Sequence, residues 1–252
     1  MPSILLDQLT WPDLRRASYS TAILPWGATE AHNLHLPHGT DTFQAAAVAH
    51  EAAEKASSRG ASVILLPAVP FGVHTQQEDL PLTLNMNPST QHLVLGDILD
   101  SVERAGVRHL LILNGHGANS FRQMIRELQA STSVFLCEAN WWTLGDASSV
   151  FNEPGDHAGE LETSVMMHLR PDLVRPLEEA GDGKGRSFRI KALREKRIWA
   201  PRKWTQVTDD TGVGNPALAS AEKGARFLDQ VTDELASFLV DLETANPDDM
   251  YA

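Results

Sequence analysis

Four short aliphatic runs, each followed by a stretch with helical spacing, constrain the fold of this chain more than any other feature. They are Thr21 to Pro25, Ser62 to Pro67, His109 to Leu113 and Ser133 to Cys137. Runs that are apolar at nearly every position suit strands buried on both faces, and the helices between them supply the crossovers that parallel pairing requires. The first helical stretch runs from Asp41 to about Ser58, where Thr40 or Asp41 can cap it. A second runs from Asn87 to about Ala105 and stops at Gly106, and a third from about Asn119 to Ala130. His157 to Leu169 and Pro216 to about Glu243 complete the set. The pattern predicts a three-layer α/β/α sandwich with a mostly parallel central sheet. Right-handed crossovers then bring the turn after every strand to one edge of that sheet, where open α/β folds bind ligands. Those turns carry Glu30 and His32, then His74, then His116.

No linker or internal repeat divides the chain, so residues 1–252 read as one domain. Its net charge of -12 argues against nucleic acid as a partner. One stretch runs the other way: Lys184, Arg186, Arg189, Lys191, Arg194, Lys196, Arg197, Arg202 and Lys203 are opposed only by Glu195. It reads as a basic loop or hairpin insertion at about 183–204, either a solvated face, a surface that pairs with a neighbour, or a guide for anionic substrate. The single cysteine, Cys137, lies in an apolar run and reads as a small buried hydrophobe in a reducing compartment. No leader and no membrane-length apolar run is visible, so a cytoplasmic protein without a membrane partner is expected. No strand is followed by Gly-x-Gly-x-x-Gly, which sets aside dinucleotide binding.

Three clusters carry chemistry. The first spans Glu30, His32, His35, His38 and Asp41. Neutral imidazole and ionised carboxylate are the usual nitrogen and oxygen donors for zinc, manganese and iron. Glu30 and His32, two apart, share a face in an extended segment, and a carboxylate at Asp41 has two oxygens with which to bridge two cations. The alternative is a histidine-rich turn that hydrogen-bonds to itself. The second cluster is His116 between Gly115 and Gly117, a turn that allows close backbone approach. The third is Asp156-His157 followed by Glu160 and Glu162, where His157 and Glu160 would share a helix face and either glutamate could instead serve the helix N-terminus.

The strings WGATEAHNLHLPHGTDT, LILNGHGANS and DHAGELETS, together with the tail TGVGNPALASAEKG, resemble the motifs of the creatininase (creatinine amidohydrolase) family, in the family's order. The resemblance implies a creatininase-like α/β sandwich and two divalent metal ions per chain, zinc first, with manganese or iron in other members. It also implies hydrolysis of an amide in a small, sometimes cyclic, molecule, and a homohexamer. The family's metal ligands fall on Glu30, His32, Asp41 as the bridge, and His116. Creatininase has a tyrosine and a metal-binding glutamate where this chain has Gly117 and Ala118, so another carboxylate must serve, and Glu160 is the candidate.

The expected mechanism is attack of a metal-activated hydroxide on a carbonyl, with His157 stabilising the oxyanion or protonating the leaving group, or merely orienting a ligand. Glu162 would accept protons or hold the substrate. His74 would touch substrate or be a satisfied loop histidine, and Trp142 would touch substrate or belong to the core or an interface. Two rivals stand beside this reading. One is hydrolysis of a carbon–carbon bond beside a ketone in a sugar or cyclitol, and the other is a binding protein that has kept the fold without catalysis.

Overall fold

The computed structural model describes residues 3–246 and 249–251. Its strands are β1 (Thr21–Trp26), β2 (Val63–Leu65), β3 (His109–Asn114) and β4 (Phe135–Asn140). The α-helices are α1 (Trp11–Leu14), α2 (Thr40–Ser58), α3 (Pro88–Arg104), α4 (Arg122–Leu128), α5 (Glu160–Leu169), α6 (Lys191–Arg194), α7 (Trp204–Val207) and α8 (Ala221–Thr244). The strands pair in parallel in the order β2-β1-β3-β4. From β1 the chain steps outward through α2 to β2. From β3 it steps the opposite way through α4 to β4. The strand order therefore reverses between β1 and β3, and a crevice opens at their carboxyl ends.

Both faces of the sheet are covered. On one, Ile23, Val63, Leu65, Leu111 and Leu113 meet the alanine face of α2 together with Val165 of α5 and Phe227, Leu228 and Val231 of α8. On the other, Ala22, Leu24, Ile64, Leu110 and Ile112 meet Leu95, Leu99 and Val102 of α3 and Met124 of α4. Successive side chains of a strand point to opposite faces, so the alternation within each run splits it between two cores. That two-sided burial is why the strands read as continuous apolar runs.

Several boundaries differ from expectation for local reasons. β1 continues through Pro25 because the Pro25 carbonyl accepts from Val69 N–H (3.0 Å) on the side where β2 has already ended at Leu65, so the missing proline N–H breaks no ladder bond. α2 is entered from Gly39 without a side-chain cap; Thr40 Oγ1 instead donates to Pro37 O (2.7 Å). α5 begins at Glu160 rather than His157. Gly155 (φ +86°) and Ala158 (φ +50°) turn the chain ahead of it, and His157 bridges to Val213. The stretch 183–204 is irregular apart from the single turn of α6 and the start of α7 at Trp204. Among the described residues no helix is long and apolar enough to cross a membrane.

Candidate metal centre

Local structure gathers donors that lie far apart in the chain. After β1, Glu30 N–H donates to His38 O (3.1 Å) and His32 bridges to Leu36, closing a tight loop that feeds directly into α2. Asp41 thus sits in the first turn of α2, where the helix dipole favours an ionised carboxylate. At the end of β3, Asn114 clasps His116: its Oδ1 accepts from His116 N–H (3.1 Å) and its Nδ2 donates to His116 O (2.9 Å). Gly115 brings this turn against α2, since a Cβ there would lie 2.6 Å from Asp41 O. His157 is held by Val213, which accepts from His157 N–H (2.9 Å) and donates to His157 O (2.8 Å).

The side chains converge at the crevice. Asp41 Oδ1 lies 2.9 Å from His32 Nε2, and Asp41 Oδ2 lies 3.1 Å from His116 Nδ1. Glu30 Oε1 is 2.7 Å from the same His116 nitrogen and 3.9 Å from His157 Nδ1. Glu30 Oε2 is 3.5 Å from His74 Nδ1 and accepts from Gln77 Nε2. Rings pack in tilted pairs, His32 against His157 with centroids 4.3 Å apart and His74 against His116 at 4.5 Å. Glu162 joins His32 and Asp41 in a further group, and its Oε2 accepts from Ala158 N–H (2.5 Å). All of these residues except Glu162 are buried, and Glu162 is half-buried.

Backbone carbonyls fix which imidazole nitrogen faces the carboxylates. A carbonyl only accepts, so His32 Nδ1 must donate to Glu30 O (3.1 Å), His116 Nε2 to Val73 O (3.0 Å) and His157 Nε2 to Ala31 O (2.8 Å). In a neutral ring the other nitrogen then carries a lone pair. Lone pairs at His32 Nε2 and His116 Nδ1 point at carboxylate oxygens about 3 Å away, an arrangement stable only with positive charge between them. Protons or cations can supply it. As protons, they appear as shifted acidities. Burial works against the His32 cation, but Asp41 overrides it and pushes the ring up to about 10. Burial likewise opposes the His116 cation, and Glu30 and Asp41 hold it well above the ordinary imidazole value. Glu30, despite burial, is held well below the usual carboxylate range by His116 and His157. Burial, with Asp41 beside it, raises Glu162. Burial also pushes neutral His74 down to about 4.

A divalent cation fits better than protons at the remaining atoms. Glu30 Oε1 and Asp41 Oδ2 are buried without a correctly aligned donor, although His116 Nδ1 is within 3.1 Å of both. Two donors bonded to one tetrahedral ion at about 2.0–2.1 Å lie about 3.3 Å apart, close to the separations here. Backbone-anchored imidazoles and shared carboxylates are also how proteins orient metal ligands.

The structure brings together Glu30, His32, Asp41, His116, His157, Glu162 and His74. It does not bring in Glu160. That carboxylate accepts from Asn152 N–H (3.0 Å), Glu153 N–H (2.9 Å) and Lys223 Nζ (2.5 Å), all away from the cluster. Glu160, expected as a ligand, thus lies apart from the other donors: with α5 starting at Glu160 itself, it is Glu162 that groups with His32 and Asp41. Trp142 is not brought in either. Its ring meets Trp141 edge-on at 6.2 Å and packs on the core beneath α8. His35 donates or accepts with Thr163 Oγ1 (2.8 Å) and lies outside the cluster's ion-pair contacts.

Sequence reasoning missed three residues. Gln77 is buried against Glu30. Asn119 accepts from Val73 N–H (3.0 Å) and Gln91 Nε2 (2.9 Å), tying the loop of His74 to that of His116. Trp204, from the far end of the basic stretch, sets its ring edge-on to His157 at 5.2 Å. Only Asn119, one of two asparagines flanking the Gly-His-Gly turn, carried a signal in the sequence.

Clustered imidazoles and carboxylates, gathered where a parallel sheet reverses its strand order, make this an α/β enzyme whose chemistry rests on acid–base and cation-binding groups. A family model described as creatinine amidohydrolase matches residues 7–239. The chain is 28% identical over 249 residues to the mycofactocin precursor peptide peptidase of Mycobacterium ulcerans (strain Agy99), covering 96% of this chain and 89% of that protein. A solved structure from Bacteroides fragilis NCTC 9343, provisionally a creatinine amidohydrolase, shares 42% identity and a TM-score of 0.92 over 98% of both chains. A creatininase mutant described as Zn–Zn type shares the fold, with 24% identity, a TM-score of 0.79, and coverage of 97% of this chain and 100% of that one. The chain belongs to the creatininase family, a family of hydrolases.

Proposed function

We propose that this protein is a metal-dependent amidohydrolase acting on a small amide. Glu30, Asp41 and His116 would hold one divalent ion and His32, Asp41 and Glu162 the other, zinc first, with manganese or iron as alternatives. The observation that carries the reading is the division of Asp41: one oxygen turns to His32 and the other to His116. Glu162 takes the place of the family ligand that Ala118 lacks. A divalent pair, when bound, polarises a carbonyl and lowers the pKa of water to about 7.

The chain's own groups do the rest. Glu30 and Asp41 orient the imidazoles, and Gln77 fixes the second oxygen of Glu30. His157, with Nε2–H committed to Ala31 O, can move a proton only at Nδ1, the atom facing the cluster. That makes His157 the candidate to protonate a leaving nitrogen or to steady negative charge on the carbonyl oxygen. The similarity of the chain along most of its length to a precursor peptide peptidase supports an amide rather than a carbon–carbon bond. The reading extends to a cytoplasmic homohexamer; exposed Ile190, Ile198 and Trp199, on the basic stretch, offer apolar surface that self-association would cover.

The test is a panel of lactams, formamides, short peptides and keto-sugars, assayed with stripped and with zinc- or manganese-loaded protein. Hydrolysis of an amide that vanishes on chelation and returns with metal supports the proposal. Turnover of a keto-sugar alone would shift it to carbon–carbon cleavage, and silence throughout with metal bound would favour a binding protein.

A further inference from the structure

His74 differs from the other imidazoles of the crevice. His32, His116 and His157 each donate one ring N–H to a backbone carbonyl, which leaves one nitrogen to work with. His74 is wholly buried, yet neither of its ring nitrogens has a hydrogen-bond partner. Its backbone is firmly set: His74 N–H donates to Asn85 Oδ1 (2.7 Å) and His74 O accepts from Gln77 N–H (2.8 Å). The ring lies against His116 at 4.5 Å, with Nδ1 3.5 Å from Glu30 Oε2. Gln77 from the same loop holds that carboxylate oxygen in place. Donor atoms of Glu30, His74 and His116 all fall within 4.8 Å of one another.

A rigidly mounted, unsatisfied imidazole beside an imidazole–carboxylate pair has the form of a ligand awaiting an ion. The 3.5 Å separation matches the roughly 3.3 Å expected of two donors on one tetrahedral ion. We propose that His74 is a ligand of the ion held by Glu30 and His116, and that it biases this site toward zinc over manganese. Imidazole suits zinc and cobalt, whereas all-oxygen sets suit manganese, so a second nitrogen makes the site select the softer ion. This inference rests on the two-ion reading above and concerns only which side chains complete one of its sites.

The experiment titrates metal-stripped protein with cobalt(II), read by visible absorption, and with manganese(II), read by electron paramagnetic resonance. It compares the natural protein with His74→Gln and His74→Leu, checking the fold by circular dichroism. The expected result is a fall of at least about tenfold in cobalt affinity at one site, in the range typical of lost metal-site groups. The other site changes little, and manganese binding weakens less than cobalt. Unchanged cobalt affinity and spectrum overturn the inference, even if KM rises, because His74 would then contact substrate alone. Should both variants unfold, cadmium-113 NMR of the natural protein decides: metal coupling to the rings of His32, His74 and His116 supports His74, and coupling to His32 and His116 alone overturns it. Failure of the natural protein to take up any metal would instead sink the underlying two-ion reading.

Discussion

Gly115 and Gly117 flank His116 symmetrically in the sequence, but the structure makes them unequal. An added Cβ at Gly115 would stand 2.6 Å from Asp41 O and 3.0 Å from the Ala45 Cβ, whereas one at Gly117 meets nothing within 4 Å. Neither backbone is left-handed, so alanine is conformationally acceptable at both. Restoring an ordinary contact of about 3.4 Å at Gly115 requires the first turn of α2 and the His116 turn to part by about 0.8 Å. Asp41 would be drawn from His116 by a comparable amount. Overpacking of this kind costs about 1–3 kcal/mol, which lowers the melting temperature by roughly 2–12 °C in a chain of this size. A misplacement approaching 1 Å costs on the order of a hundredfold in rate. Gly117→Ala should stay within about 0.5 kcal/mol of the natural protein and keep its metal affinity. Calorimetric melting and metal titration of both variants test this. Equal damage from the two substitutions, or an unaffected Gly115→Ala, would refute the argument that Gly115 sets the approach of Asp41 to His116.

Metal uptake should release protons, because liganding nitrogens must be neutral. At pH 7 His32, with its pKa at about 10, must lose a proton at a cost of about 4 kcal/mol, and His116 another; apparent affinity therefore climbs as pH rises toward 10. Calorimetry in buffers of different ionisation enthalpy measures the protons, and a value of zero contradicts the assignment. In the metal-free protein the raised His32 stabilises the fold fully below pH 6.5, and that contribution is lost as pH rises through about 10; the lowered Glu30 and Asp41 lose theirs as pH falls below the ordinary carboxylate range. Glu160→Ala should cost about 3 kcal/mol by stranding Lys223 and two amides while metal content stays normal. Glu162→Gln should leave the melting temperature of the stripped protein nearly unchanged and remove one equivalent; the reverse pattern restores Glu160 as the ligand. Trp204→Leu should lower kcat without changing metal content, and no effect on kcat would show that its ring does not steady His157.

The layered parallel fold was legible because burial on both faces leaves its mark on every strand residue, and the strand order then places the loops of Glu30, His74 and His116 at one edge. What the sequence could not show was the geometry of short turns. The difference between Glu160 and Glu162 depends on Ala158 at positive φ and on Val213 pairing with His157. Neither leaves a periodic signal, so the sequence could not show that α5 begins at Glu160 and that Glu162 is the glutamate beside His32. Trp142 was ambiguous for a related reason: an aromatic beside a strand end is compatible with either a pocket or a core, and its ring packs edge-on against Trp141. Gln77 and Trp204 reach the site by contacts across long sequence separations that no local pattern encodes.

In the proposed centre one carboxylate, Asp41, unites two cation sites. Metal content by inductively coupled plasma mass spectrometry, on natural, Asp41→Asn and His116→Ala proteins purified without chelator, tests it most directly. The expected contents are about two equivalents in the natural chain, nearly none in Asp41→Asn, and about one in His116→Ala. Two equivalents retained in Asp41→Asn, or none in the natural protein after zinc is supplied, would contradict it.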